Sequence, residues 1–262
     1  MSFDMTRRFF LTAMATVMVM PNKIFASDSV HPVSIPILLY HDLSSKWWLM
    51  KDDYTVTPAL FAAQMEWLHS NGYKAVSFAD LGKESSLEKA VIITFDDGYA
   101  SFVHYAFPFL RSYGFKATIN IIGQYVGSYI TDQGARPTLS WDEYRYLKSS
   151  GLVSLGCHTD RLHAFRNQGA AGVSDDVLLE DLQRFQSIFK QEMGTTSEII
   201  AWPYGLYNER SITVARKAGF RYILTSKQGF YQHGDNYTQI PRISISNKDQ
   251  LFTFQSHLGV RR

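Results

Sequence analysis

The chain has 262 residues, 45% of them hydrophobic and 15% aromatic, enough for one sizeable core and a common length for a single-domain α/β barrel. Its formal net charge is +2 and no basic block stands out, which argues against nucleic acid as a partner. The lone cysteine, Cys157, excludes an intramolecular disulfide framework.

The N-terminus reads as an export signal. Arg7-Arg8-Phe9-Phe10-Leu11 leads into an apolar run from Phe9 to Met20, and Ile24-Phe25-Ala26 is a small-residue cleavage site before Ser27. The paired arginines fit a twin-arginine signal over residues 1–26. The run is shorter than the ~20 apolar residues that span a bilayer. Its removal takes the basic and acidic totals from 26 and 24 to 23 and 23, so the remaining domain, 27–262, is formally neutral. A periplasmic or secreted protein is expected.

Beyond Ser27, apolar strand-like runs alternate with helix-like segments. Ile35 to Tyr40 reads as a buried strand. Thr57-Pro58 opens a helix that Asn71-Gly72 ends. Lys74 to Phe78 is expected as a strand, and Val91 to Phe95, β-branched and continuous, as a stronger one. A helix then runs to Tyr113 and closes at Gly114. Lys116 to Ile122 is the next strand. Ser140-Trp141-Asp142-Glu143 has capping-box spacing and starts a helix ending near Gly151. Leu152 to Gly156, Glu198 to Trp202 and Arg221 to Thr225 are strands. Ser174 to Met193 and Asn208 to Ala218 are the helices between them. Ile240 to Ile245 and Asp249 to His257 give a last strand and helix. This alternation predicts an α/β fold, a distorted or incomplete (β/α) barrel of about seven parallel strands in one domain.

In such folds the site lies at the carboxyl ends of the strands. His41, Asp96-Asp97, His158 with His163, and Pro203-Tyr204-Gly205 all follow predicted strands. Two adjacent carboxylates at the end of an apolar strand are costly unless compensated. A metal would compensate them, with one carboxylate on the ion and the other facing substrate, because neighbouring side chains of an extended segment diverge. An Asp-Gly turn with solvated carboxylates is the alternative. His158 and His163, five apart, do not share a helix face, so a loop around an ion suits them. Two imidazoles and one carboxylate leave open positions on a divalent ion, the arrangement of catalytic zinc sites. A glycosidase carboxylate pair does not fit, since those residues flank the bond from separate elements about 5 Å or more apart.

Thr94-Phe95-Asp96-Asp97-Gly98-Tyr99, then His158-Thr159 with His163, then Trp202-Pro203-Tyr204-Gly205 resembles, in order, the polysaccharide deacetylase family (the NodB homology domain, carbohydrate esterase family four). Ile37-Leu38-Leu39-Tyr40-His41-Asp42, the five-residue histidine spacing and the Trp202 segment are similar to the branch acting on poly-β-1,6-N-acetyl-D-glucosamine of biofilm matrices. The resemblance implies a hydrolase that releases acetate from an N-acetylated polysaccharide. It implies Asp97, His158 and His163 as ligands of a divalent metal, zinc first, with cobalt, nickel or iron as alternatives. Asp96 would be the general base, the backbone N–H of Tyr204 a holder of the oxyanion beside Trp202, and His41 the general acid. Elsewhere in the family the acid lies near the C-terminus, where His257 is the candidate. The arginine that usually precedes the Pro-x-Gly segment is absent here. Ile199 to Trp202 stand in its place, and Arg242 is the candidate substitute for steadying Asp96. A monomer working beside polysaccharide export machinery is expected. Other acetylated glycans (chitin oligomers, peptidoglycan, xylan), or a silent polysaccharide-binding protein, are the competing readings. Trp47 and Trp48 are a candidate stacking platform for sugars, or packing residues.

Overall fold

The computed structural model describes residues 33–46, 48, 53–82, 87–131 and 134–260. The expected signal at 1–26, and Trp47, lie outside these residues.

Seven parallel strands make the main run of a nine-stranded sheet. In spatial order they are β7 (Tyr222–Leu224), β6 (Ile199–Ala201), β5 (Val153–Cys157), β4 (Ala117–Ile121), β3 (Ala90–Phe95), β1 (Ser34–Tyr40) and β9 (Ile243–Ser244). A short β2 (Lys74–Ala75) pairs parallel with β3, and β8 (Phe230–Gln232) runs antiparallel to the start of β1. Leu224 bridges Ile240, just before β9, so the last long strand is tied back to the segment that pairs with β1. This is the distorted (β/α) barrel expected from the alternation. The helices are α1 (Pro58–Ser70), α2 (Phe107–Tyr113), α3 (Trp141–Ser149), α4 (Asp175–Met193), α5 (Glu209–Lys217) and α6 (Leu251–His257).

The strands are buried on both faces, which explains their near-continuous apolar sequences. Leu38, Tyr40, Val91, Ile93, Ile119 and Ile121 belong to the large core that also holds the helix residues Phe61, Met65, Leu110 and Leu182. The alternate residues Ile35, Ile37, Ile92, Ala201 and Leu224 form a second core without α-helix residues, the barrel interior. Strand alternation puts Thr94 and Asp96 on the same inward face as Ile92. The interior is therefore apolar at one end and polar at the other.

Local chemistry sets the helix ends. Thr57 Oγ1 accepts the N–H of Leu60 at 3.2 Å. Ser140 and Glu143 form the expected box, with Ser140 N–H donating to Glu143 Oε2 at 2.8 Å and Glu143 N–H to Ser140 Oγ at 3.3 Å. Gly194 ends α4 at φ 73°, a conformation glycine adopts freely.

Three expectations are corrected. Strand Lys74–Phe78 shortens to Lys74–Ala75, because Asp80 Oδ2 accepts from the N–H and Oγ of Ser77 (3.0 and 2.7 Å) and winds Phe78–Asp80 into a 3₁₀ turn. The strand expected over 240–245 keeps only Ile243–Ser244, since Pro241 has no N–H for a ladder. The last helix starts at Leu251 rather than Asp249, whose Oδ2 accepts from Ser246 N–H and Oγ at 2.7 and 2.8 Å. The helix before Tyr113 opens with a π-turn, Phe102–Ala106, ahead of α2. Pro108 offers no N–H and would crowd a carbonyl four residues back, which accounts for the wider turn. Strand β8 and the small pairing of Tyr129–Ile130 with Arg136–Pro137 were not foreseen.

Candidate active site

The parallel register brings the motifs together. Tyr40 pairs with Phe95 and Asp96 N–H donates to Tyr40 O at 3.0 Å, so His41 and Asp96 follow adjacent strands at one level. Ile121 pairs with Cys157 and Cys157 with Ile200, which delivers His158 and the segment Trp202–Gly205 to the same end. A cavity of about 200 Å³ there is lined by His41, Asp96, Asp97, His158, His163 and Arg242, with Trp202 and Tyr204.

The two carboxylates diverge. Asp97 takes a left-handed backbone, φ 73°, followed by Gly98 at φ 75°. Asp96, 2% exposed, is gripped by Arg242, whose Nη1 and Nη2 donate to Oδ1 and Oδ2 at 2.8 and 2.7 Å. Asn120 Nδ2 donates to Oδ1 at 2.7 Å. Arg242 is itself fixed by donation to Thr225 O (2.8 Å) and Thr94 Oγ1 (3.2 Å). Burial pushes the Asp96 carboxyl up. Arg242, with lesser help from His158 and His41, outweighs it and holds the group at about 2. Asp96 is therefore ionised at neutral pH.

Asp97 Oδ1 lies 3.5 Å from His158 Nε2 and 3.3 Å from His163 Nε2, and it is buried without a hydrogen-bond partner. Burial raises this carboxyl too, but the nearby ring of His163, then those of His41 and His158, keep it well below the usual carboxylate range. His158 Nδ1 donates to Ala201 O at 2.9 Å, which leaves the Nε2 lone pair facing Asp97. Burial lowers its pKa to about 4 against the pull of Asp96 and Asp97, so the ring is neutral at pH 7. Tyr204 O–H donates to His163 O (3.0 Å) and its oxygen lies 3.2 Å from His163 Nδ1, an arrangement that frees His163 Nε2 in the same way.

Among the described residues these three form the cluster able to hold a metal ion, with one ligand atom from each within 4.8 Å of the others. The test of fit is favourable. Atoms each about 2.1 Å from a tetrahedral ion sit roughly 3.4 Å apart, close to the two separations from Asp97. The orphaned Oδ1 needs a positive partner, and the outer hydrogen bonds set both histidine tautomers for ligation.

His41 is half-buried, its Nδ1 has no hydrogen-bond partner, and its ring lies 4.8 Å from that of Tyr54. His257, on α6, is elsewhere: its Nε2 is 2.9 Å from Asp249 Oδ1, and it does not line the cavity. Trp202 is buried with an unpartnered Nε1. Tyr204 is 44% exposed at the mouth with φ 57°. Trp48 is exposed, with Lys46 Nζ 5.9 Å over its ring, and is not among the cavity-lining residues. Asn120, Arg136 and Arg166 were missed by sequence reasoning. Asn120 left a signal, a second polar residue after Thr118 on the inward face of a buried strand. Gly156 makes its room, since a Cβ there would meet Asn120 Oδ1 at 2.2 Å.

YxkH of Bacillus subtilis (strain 168), provisionally named a polysaccharide deacetylase, is 30% identical over 224 residues, 82% of this chain and 72% of that one. The poly-beta-1,6-N-acetyl-D-glucosamine N-deacetylase of Staphylococcus aureus (strain MSSA476) is 27% identical over 202 residues, 74% of this chain and 69% of that one. The solved structure of the Streptococcus pyogenes deacetylase PplD in complex with acetate superposes with a TM-score of 0.74 at 25% identity, covering 87% of this chain and 99% of that one. The family pattern described as polysaccharide deacetylase matches residues 83–223, more than half of the sequence. The chain therefore belongs to the polysaccharide deacetylase family, hydrolases that deacetylate polysaccharides.

Proposed function

We propose that this protein removes N-acetyl groups from poly-β-1,6-N-acetyl-D-glucosamine, releasing acetate and leaving free amines on the polymer. The observation that carries the reading is the pairing of two differently held carboxylates in one cavity. Asp96 is ionised and fixed by Arg242 and Asn120, while Asp97 faces the imidazoles of His158 and His163. The substrate assignment is supported by the curated S. aureus relative of that name.

A divalent ion on Asp97, His158 and His163 would lower the pKa of water and polarise the acetyl carbonyl. Zinc suits two imidazoles and a carboxylate best, with cobalt, nickel and ferrous iron able to take the same donors. Asp96 accepts the proton of the attacking water. Its bidentate grip by Arg242 keeps the carboxylate from turning toward Asp97. The backbone N–H of Tyr204 donates to the developing oxyanion, and Trp202 walls the acetyl side of the cavity. His41, one strand from Asp96, protonates the leaving nitrogen, without which an amine does not depart. The run Arg7 to Met20 supports export through a cleaved twin-arginine signal, with the protein acting as a monomer beside the machinery that exports its polymer.

The experiment is acetate release from a panel of β-1,6-linked N-acetylglucosamine oligomers, chitin oligomers, peptidoglycan and acetylated xylan. The β-1,6 oligomers should be deacetylated fastest. Faster turnover of another member would overturn the substrate assignment, and no release from any member would leave a polysaccharide-binding protein.

A further inference from the structure

The two histidines of the centre sit on one loop, and that loop contains a strained residue. Thr159 is fully buried at φ 66°, a conformation a β-branched residue adopts only when its surroundings enforce it. The carbonyls of Thr159 and Asp160 accept the N–H groups of Gly123 and Gln124 at 3.0 and 2.9 Å. The opposite edge of the loop ends on a residue far away in sequence. The N–H groups of Asp160 and Arg161 donate to Oδ2 and Oδ1 of Asp181, at 2.9 and 2.8 Å.

Asp181 lies on α4, is 8% exposed, and does not line the cavity. One turn along the same helix, Arg184 Nε is 2.7 Å from Asp160 Oδ2, and Asp160 is 2% exposed. That side chain packs so closely on the neighbouring loop that a Cβ at Gly123 would meet Asp160 Oδ1 at 2.2 Å. Helix α4 thus holds the segment between His158 and His163 by its backbone and by its one buried carboxylate. Nothing in the chemistry proposed above uses Asp181 or Arg184.

We propose that Asp181 is a positioning residue for the metal centre, which holds the His158–His163 loop in its left-handed turn so that both imidazoles face Asp97. The proposal rests on the reading of Asp97, His158 and His163 as a metal centre. A carboxylate accepting two backbone N–H groups forms charge-assisted bonds, stronger than neutral ones, and it donates nothing that could compete. Without it, one buried and one part-buried N–H lose their partner and the loop can relax out of the turn. The ligands would then have to be ordered at the moment of binding, at the expense of affinity.

The test is zinc affinity of the full chain, by competition with a chromophoric chelator, together with the visible spectrum of the cobalt-loaded protein. Wild type is compared with Asp181→Ala, Asp181→Asn and the ligand variant Asp97→Asn. Loss of groups that orient metal ligands weakens binding about 10- to 100-fold, and that range is expected for Asp181→Ala, with an altered cobalt spectrum. Asp181→Asn keeps the shape and one acceptor oxygen, so it should lose less, and it carries the test if the alanine variant fails to fold. Activity of either folded variant should recover in excess zinc, which a general packing defect would not allow. Folded Asp181 variants with wild-type affinity and spectrum, beside an Asp97→Asn protein that has lost zinc, would overturn the proposal. Unchanged zinc binding in Asp97→Asn would overturn the metal-centre reading itself, and this proposal with it.

Discussion

Asp96 and Asp97 are neighbours in sequence with opposite surroundings, and the difference comes from residues outside the motif. Asp96 meets a guanidinium from the far end of the chain, and Asp97 meets two imidazoles from one loop. A carboxylate depressed to about 2 contributes stability that is fully present above the unfolded carboxylate range near 4 and is lost as pH falls through 2. Removing the guanidinium leaves burial as the larger influence, which raises the group. Arg242→Met should therefore move the acid limb of the pH–activity profile to higher pH, a shift read directly from initial rates. It should also destabilise the fold by about 3–5 kcal/mol, the usual cost of breaking one side of a buried ion pair, measurable by denaturant unfolding. An unmoved acid limb would mean that Arg242 does not set the charge of Asp96. Arg242 could be nominated from sequence because the family's usual arginine is absent before Pro203. Asn120 showed in the sequence only as a polar residue on a strand, because the register alone brings its side chain to Asp96 rather than to water.

At the scale of elements, the motifs work because short turns follow each strand at one level. The turn after β3 needs Gly98: its φ is 75°, and a Cβ would meet the Tyr144 hydroxyl at 2.1 Å. Gly98→Ala should lower Tm and reduce activity together, since a side chain at positive φ costs more than the ~1 kcal/mol that alanine gains from a stiffer unfolded chain. Retention of both would show that Tyr144 can move aside without disturbing Asp97. The long helices and apolar strands were legible because periodicity and caps agree, as at Ser140 to Glu143. The errors cluster where a local side-chain bond competes with a regular ladder. Ser77 with Asp80 ended a strand early, and Ser246 with Asp249 delayed a helix. Strand β8 left no clear signal, because three residues of half-buried sequence carry too little alternation to separate from a loop.

The whole molecule is needed for the site. The family match spans residues 83–223, which includes Asp96, Asp97, His158, His163 and Tyr204 but neither His41 nor Arg242. His41 follows β1 and Arg242 immediately precedes β9, and these two strands pair with each other. A fragment of residues 83–223 should therefore fail to fold cooperatively and release no acetate, as followed by circular dichroism and product assay; an active fragment would contradict the roles given to His41 and Arg242. The barrel and its polar end followed from strand–helix alternation, while the closure through Ile240 and Leu224 depends on long-range pairing that no local pattern encodes. The central claim, that Asp96 is the base of a metal-dependent deacetylase, is tested most directly by one comparison. Acetate release from β-1,6-linked N-acetylglucosamine oligomers is measured for residues 27–262 and for Asp96→Asn, each stripped of metal and then reloaded with zinc. The account predicts release that depends on zinc in the parent, and a drop of about a hundred- to ten-thousand-fold in Asp96→Asn with zinc still bound. Zinc-independent release, or an Asp96→Asn protein as active as the parent, would contradict it.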